Sequence, residues 1–281
     1  MLKTRILTAV VLVPLTLAAL FLLPPRAWGA VTLAVIGVGA SEWANLAGCA
    51  RPWQWAFALA TVTCGVLLLF APFGAFAADT GWPPGVTLAV CGAATLFWLA
   101  AAPAWLATGW RVASKFVLVA TGWLVLLAAW VALVQLQARS PGLLLATMAI
   151  VWIADTAAYF TGRAFGRRKL APAISPGKTW EGVYGALAAT AVYALLLLWL
   201  APEVVHAGEL GARALAGWVS LVLALTALSV VGDLFKSLLK RQRGVKDSGR
   251  ILPGHGGVID RIDALLAVLP PSALLAQHAL R

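Results

Sequence analysis

Ten acidic residues are few for a chain of 281, so where they fall carries information. One stretch, Gly232 to Asp263, holds Asp233, Ser237, Lys240, Arg241, Lys246, Asp247, His255, Asp260 and Asp263. Asp233, Ser237, Lys240 and Arg241 follow one another at helical offsets of 0, 4, 7 and 8, which puts them along one polar face. Asp260 and Asp263 are three apart and share a face if the chain is helical from residue 260 onward. Magnesium takes hard oxygens, usually one or two carboxylates with water and phosphate oxygens completing the shell. With Asp233 reaching in from the preceding helix, the expectation is a metal held by Asp233 and Asp260. The alternative is that Asp260 only caps the last helix while Arg261 pairs with Asp263 or Asp247. His255, beside two glycines, reads as a hydrogen-bond donor or turn residue ahead of a general base.

A second polar stretch runs from Asp155 to Gly182. Asp155 lies near the end of an apolar run, where an unpaired charge is costly, so it lines a cavity or binds a cation, or else it pairs with Arg163. Ser175-Pro176-Gly177-Lys178-Thr179 sets a hydroxyl, a glycine and an ammonium just before a helix start. Such a turn can offer N–H groups and a positive charge to a phosphate. It lacks the Walker A spacing, and the bland alternative is a turn leading into a capped helix.

The elements that carry these residues are set by composition. Hydrophobic residues make up 62% of the chain and charged residues 11%, with a mean hydropathy of +0.92. Soluble domains run near 45–50% apolar and about 25% charged. Nine apolar windows approach the roughly 20 residues a spanning helix needs: 5–23, 29–49, 54–73, 85–106, 116–136, 142–161, 183–201, 214–235 and 262–279. Backbone groups in lipid must be satisfied internally, so the fold class is all-α, a polytopic integral membrane protein of about nine transmembrane helices. It reads as one transmembrane domain, with spans one to five in 1–140 and the catalytic helices and loops in 141–281. With the N-terminus in the cytoplasm, 17 of the 21 lysines and arginines fall on the cytoplasmic side.

Topogenic charge and anionic lipid account for a basic face, yet carboxylates join the cations in only two cytoplasmic loops. A helix from Ala214 to Arg241 would be about 42 Å long, more than the roughly 30 Å hydrocarbon core, so its end reaches the headgroups. His206 and His278 fall on the other side and take a structural reading. Glu42 sits deep in a span and either hydrogen-bonds within the bundle or takes part in the site. Cys49, Cys64 and Cys91 lack metal-ligand spacing and pack as small hydrophobes. The first apolar run, after Lys3 and Arg5, reads as a retained anchor in preference to a cleaved signal.

From Ser237 to Asp263 the chain reads S-L-L-K-R-Q-R-G-V-K-D-S-G-R-I-L-P-G-H-G-G-V-I-D-R-I-D. This resembles the signature of the phosphatidate cytidylyltransferase (CDP-diglyceride synthase) family, and S-P-G-K-T-W-E-G at Ser175 to Gly182 is similar to that family as well. The resemblance implies that CTP and phosphatidate give CDP-diacylglycerol and pyrophosphate with magnesium, a monovalent cation such as K+ being an optional second ion. It implies cations on Asp233 and Asp260, with Ser237, Lys240 and Asp263 nearby. Lys178, Ser175, Arg241, Lys246, Asp247, His255 and Asp155 are the expected substrate-binding residues. A phosphatidate monoester is already partly ionised near neutral pH, so no strong protein base is required. The expected partners are CTP, phosphatidate in the cytoplasmic leaflet and membrane lipid, with no nucleic acid; a homodimer is left open. The expected location is a bacterial inner membrane, with the site facing the cytoplasm. The rivals are a CTP-using polyprenol kinase, which would release CDP, and an ion-coupled transporter, which would carry charges near the bilayer midplane.

Overall fold

A computed structural model describes residues 2–70, 76–77, 80–203, 211–249, 251 and 256–279, with side chains described from residue 10 to residue 277 within those ranges. Helix follows helix in chain order: α1 Leu2–Leu22, α2 Pro25–Leu46, α3 Arg51–Phe70, α4 Pro84–Thr108, α5 Lys115–Arg139, α6 Pro141–Phe165, α7 Trp180–Leu200, α8 Ala212–Arg243 and α9 Ile259–Ala279. Among the described residues, seven of these, α2 to α8, are long and apolar enough to cross a membrane. The all-α multi-pass reading therefore stands, with one addition. Between α6 and α7 the chain forms a hairpin of two antiparallel strands, β1 Lys169–Ala171 and β2 Ser175–Thr179, paired Lys169 with Thr179 and Ala171 with Ser175. The Ser175–Thr179 segment, read from sequence as a turn, is thus a strand.

Local chemistry sets the helix ends. Pro25, Pro84 and Pro141 stand in first turns, where a missing N–H costs nothing. Ser140 Oγ accepts from Leu143 N at 3.3 Å, and Thr179 Oγ1 accepts from Gly182 N at 3.2 Å, capping α6 and α7. Gly244, at φ 73°, ends α8 in the left-handed conformation a residue with a Cβ resists. Its 32 residues make α8 about 48 Å long, so it outreaches the hydrocarbon core by a wide margin. The fourth helix contains a π turn at Phe97–Ala101.

Helix α5 forms the core, buried almost continuously from Val125 to Gln137. Indole donors fasten its neighbours to it: Trp130 Nε1 to Gly29 O at 2.9 Å, Trp43 Nε1 to Leu118 O at 2.8 Å, and Trp82 Nε1 to Val131 O at 3.1 Å. On α8, the fully buried Phe235 packs edge-on against Phe97, Trp98 and Trp105 of α4, with ring centroids 5.2–5.6 Å apart. That aromatic nest orients α8 and turns the next residue, Lys236, inward.

Close helix approach completes the frame. Lipid tails offer no hydrophobic drive between helices, so small residues that let backbones touch do much of the packing. Gly162 of α6 faces Gly182 of α7, and a Cβ at Gly182 would stand 2.9 Å from Ala158 O. Gly232 of α8 lies directly on α9, where a Cβ would meet Asp263 O at 2.7 Å and Ala267 Cβ at 3.0 Å. A carbonyl cannot swing aside as a side-chain tip can. Gly232→Val is therefore expected to separate α8 from α9 and to cost about 1–3 kcal/mol of stability. Denaturation of the purified variant in detergent micelles measures it.

Candidate active site

Three elements converge: the inward face of α8, the start of α9 and strand β2. At their centre is Lys236, whose side chain is 9% exposed. Its ammonium lies 3.3 Å from Asp233 Oδ1 and 3.7 Å from Asp260 Oδ1, and it is in direct contact with Asp263 Oδ2. Lys178 of β2 reaches Asp233 Oδ2 at 2.6 Å, and Lys240, one turn beyond Lys236, bonds Asp260 Oδ1 at 2.7 Å. Cations and carboxylates thus alternate across the helix junction. Ser237 Oγ stands 3.4 Å from Asp233 Oδ1 and donates to it.

Asp260 is fixed from behind. Its Oδ2 accepts from Ser248 N at 2.8 Å, Ser248 Oγ at 3.1 Å and Gly257 N at 3.2 Å, while its Oδ1 faces the two lysines. Asp260 thus braces the entry to α9 and also belongs to the charge cluster. Asp155 does not pair with Arg163, which instead donates to Tyr159 Oη at 3.3 Å.

Beside the cluster, a cavity of about 500 Å³ opens between α6, α7, α8 and the hairpin. Asp155, Ser175, Lys178 and Asp233 line one part of it, and Ala158, Val183 and Val230 are among its apolar walls. Asp233 and Lys178 hence belong to cavity and cluster at once. The hairpin that delivers Lys178 is held by two further ties. Arg241 Nε donates to Ile174 O at 3.2 Å, and the Glu181 carboxylate accepts from Arg167 N and Arg168 N at 3.1–3.2 Å. Arg241 is thus turned toward the hairpin. Lys246 and Asp247 are exposed after the end of α8, outside the cavity lining. His255 and His206 lie outside the described residues, as does the side chain of His278.

Sequence reasoning passed over Lys236, although its offset of three from Asp233 puts it on the face already defined by Ser237 and Lys240. It also left out Ser248. No spacing rule flagged that residue, because its partners are created by the fold.

As to a metal, Asp233, Asp260 and Asp263 are hard carboxylate donors of the kind magnesium takes, and here they surround one point. That point is the Lys236 ammonium, so in this arrangement the lysine supplies the positive charge. Among the described residues no group of three His, Cys, Asp or Glu side chains forms a ready ligand set.

Apolar helices around a buried charge cluster, with a cavity whose walls are partly apolar and partly ionic, define a multi-pass membrane protein. The model of the cytidylyltransferase family matches residues 3–278, and the chain belongs to that family. Among curated relatives, the phosphatidate cytidylyltransferase of Pseudomonas aeruginosa is 41% identical over 98% of this chain and 97% of its own length. That of Haemophilus influenzae is 36% identical over 96% of each. That of Brucella suis is 51% identical over a shorter reach, 42% of this chain.

Removing one member of a buried ionic cluster strands its partners, at about 3–5 kcal/mol, whereas removing charge on both sides costs less. Lys236→Met is therefore expected to lower stability strongly, and Lys236→Met with Asp263→Asn to regain part of the loss. Comparative melts of the single and double variants in one detergent read this out; no recovery in the double variant would contradict the pairing.

Proposed function

We propose that the protein transfers cytidylate from CTP to phosphatidate, forming CDP-diacylglycerol and releasing pyrophosphate. The observation that carries this reading is the Lys178–Asp233 pair, which joins a cavity with apolar walls to a cluster of buried lysines and aspartates. Close relatives bearing that name over nearly their full length support it.

In this mechanism the acyl portion of phosphatidate lies along the apolar wall of the cavity, and its phosphate meets Lys178. Lys240, Arg241 and Lys246, with Lys178, divide the remaining charge between CTP and the lipid headgroup. A phosphate oxygen of the lipid attacks the α-phosphorus in line, a new P–O bond forms, and the anhydride bond to the β-phosphorus breaks with its electron pair leaving on pyrophosphate. The lipid phosphate is already ionised, so the protein's work is positioning and charge stabilisation. Magnesium, held by Asp233 and Asp260, would neutralise phosphate charge as a Lewis acid, with a monovalent cation such as K+ as an optional second ion. Ser237 and Lys236 hold the Asp233 carboxylate in place, and Lys240 and Ser248 do so for Asp260.

The N-terminus and the site are proposed to face the cytoplasm of a bacterial inner membrane. Support comes from the 17 of 21 basic residues that this orientation puts inside and from the cluster's place at the basic end of α8.

Purified protein given labelled CTP and phosphatidate with magnesium is expected to yield CDP-diacylglycerol and pyrophosphate, and little of either once magnesium is chelated. Release of CDP would indicate a kinase instead. Asp260→Asn is expected to abolish turnover in a protein that still folds and inserts; near-normal activity in detergent would contradict the assignment.

A further inference from the structure

The carboxylate of Glu42, on α2, is 5% exposed and has no cation beside it among the described ion pairs. Three donors surround it instead. Val258 N donates to Oε1, while Ile259 N and Ser248 Oγ donate to Oε2, each at 3.0 Å. These partners lie 206–217 residues further along the chain.

The chemistry of the pairing is specific. The opening N–H groups of a helix have no partner within it, and that end of the helix dipole is positive. A buried carboxylate across the start of α9 answers both demands without a counter-ion. Two glycines make the approach feasible: a Cβ at Gly249 would collide with the Glu42 carboxylate, and a Cβ at Gly257 with both Glu42 and Ser248. Ser248 then passes the constraint on. It is 1% exposed, its N–H bonds Asp260 Oδ2 at 2.8 Å, and its hydroxyl stands 3.0 Å from Glu42 Oε2 and 3.1 Å from Asp260 Oδ2. That hydroxyl has one proton for two carboxylates, so it ties them into a single unit.

We infer that Glu42 is a positioning residue for catalysis: through Ser248 and the first turn of α9, it sets the direction in which Asp260 faces Lys236 and Lys240. The inference rests on the assignment of Asp260 to the reaction, and it gives the N-terminal helices a part in the site. Groups that orient a ligating or catalytic carboxylate are worth about 10–100-fold in activity when removed.

Kinetics of Glu42→Gln, Glu42→Asp and Ser248→Ala, run with the wild type and Asp260→Asn in the same micelles, test it. Glu42→Gln sets an amide N–H against backbone donors and is expected to lower kcat about 10–100-fold with the KM for CTP and for phosphatidate nearly unchanged. Glu42→Asp keeps the charge and is expected to recover part of that kcat, and Ser248→Ala to fall between it and the wild type. Thermal melts establish that each variant is folded. Wild-type kcat in folded Glu42→Gln overturns the inference. Should Glu42→Gln fail to fold, Ser248→Ala decides: wild-type kcat overturns it, and a lowered kcat at unchanged KM supports it. An active Asp260→Asn would sink the site assignment itself, whereas an inactive Asp260→Asn beside fully active Glu42 and Ser248 variants would sink only the role of Glu42.

Discussion

The Lys236 ammonium among three aspartates is the interaction on which the rest of the arrangement depends. An isolated ion taken out of water costs several kcal/mol, and in a helix bundle that penalty is met only by close partners of opposite sign. Lys236 therefore cannot be buried unless Asp263 is brought against it, which requires α9 to lie on α8 at Gly232. Asp233, one turn back on the same helix, needs Lys178 in addition, and this brings strand β2 across the top of the cavity. The aromatic nest around Phe235 keeps α8 from rotating away. Helix crossing, hairpin placement and aromatic packing are all conditions for seating one ammonium.

Much of this was legible in the sequence, because a bilayer leaves the chain few choices. Long apolar runs can only be helices, and each of the nine windows lies within or overlaps an observed helix. The polar face of α8 was readable for the same reason, since helical periodicity fixes which residues stand together. Other features were hidden for physical reasons. The hairpin was missed because three- and five-residue strands rich in proline, glycine and lysine carry no alternating pattern. Lys236 looked like one more basic residue near a cytoplasmic helix end, and only its burial separates it from Arg241 or Arg243. The partners of Glu42 were beyond local rules altogether, because contacts across more than 200 positions are made by the fold and not by spacing.

The two halves of the chain meet in one network. Helix α2 lies in the N-terminal region, outside the two polar stretches, yet its one carboxylate closes the start of α9. The strongly apolar helices α3 and α4 carry no charged side chain beyond Arg51, and α4 packs against α9 and meets α8 through the aromatic contacts with Phe235. Polar interactions and apolar packing thus hold α8 from opposite sides.

One consequence follows from the alternation of Lys178, Asp233, Lys236, Asp260, Asp263 and Lys240. Their formal charges cancel. Taken by itself, a balanced set has no surplus with which to receive a nucleoside triphosphate, so beyond what Arg241 and Lys246 add, neutrality has to be imported along with the guest or released by separating pairs already made. Entry of a polyanion is in this sense an exchange of counter-ions, and its free energy is set by how far existing contacts must part to make room for new ones.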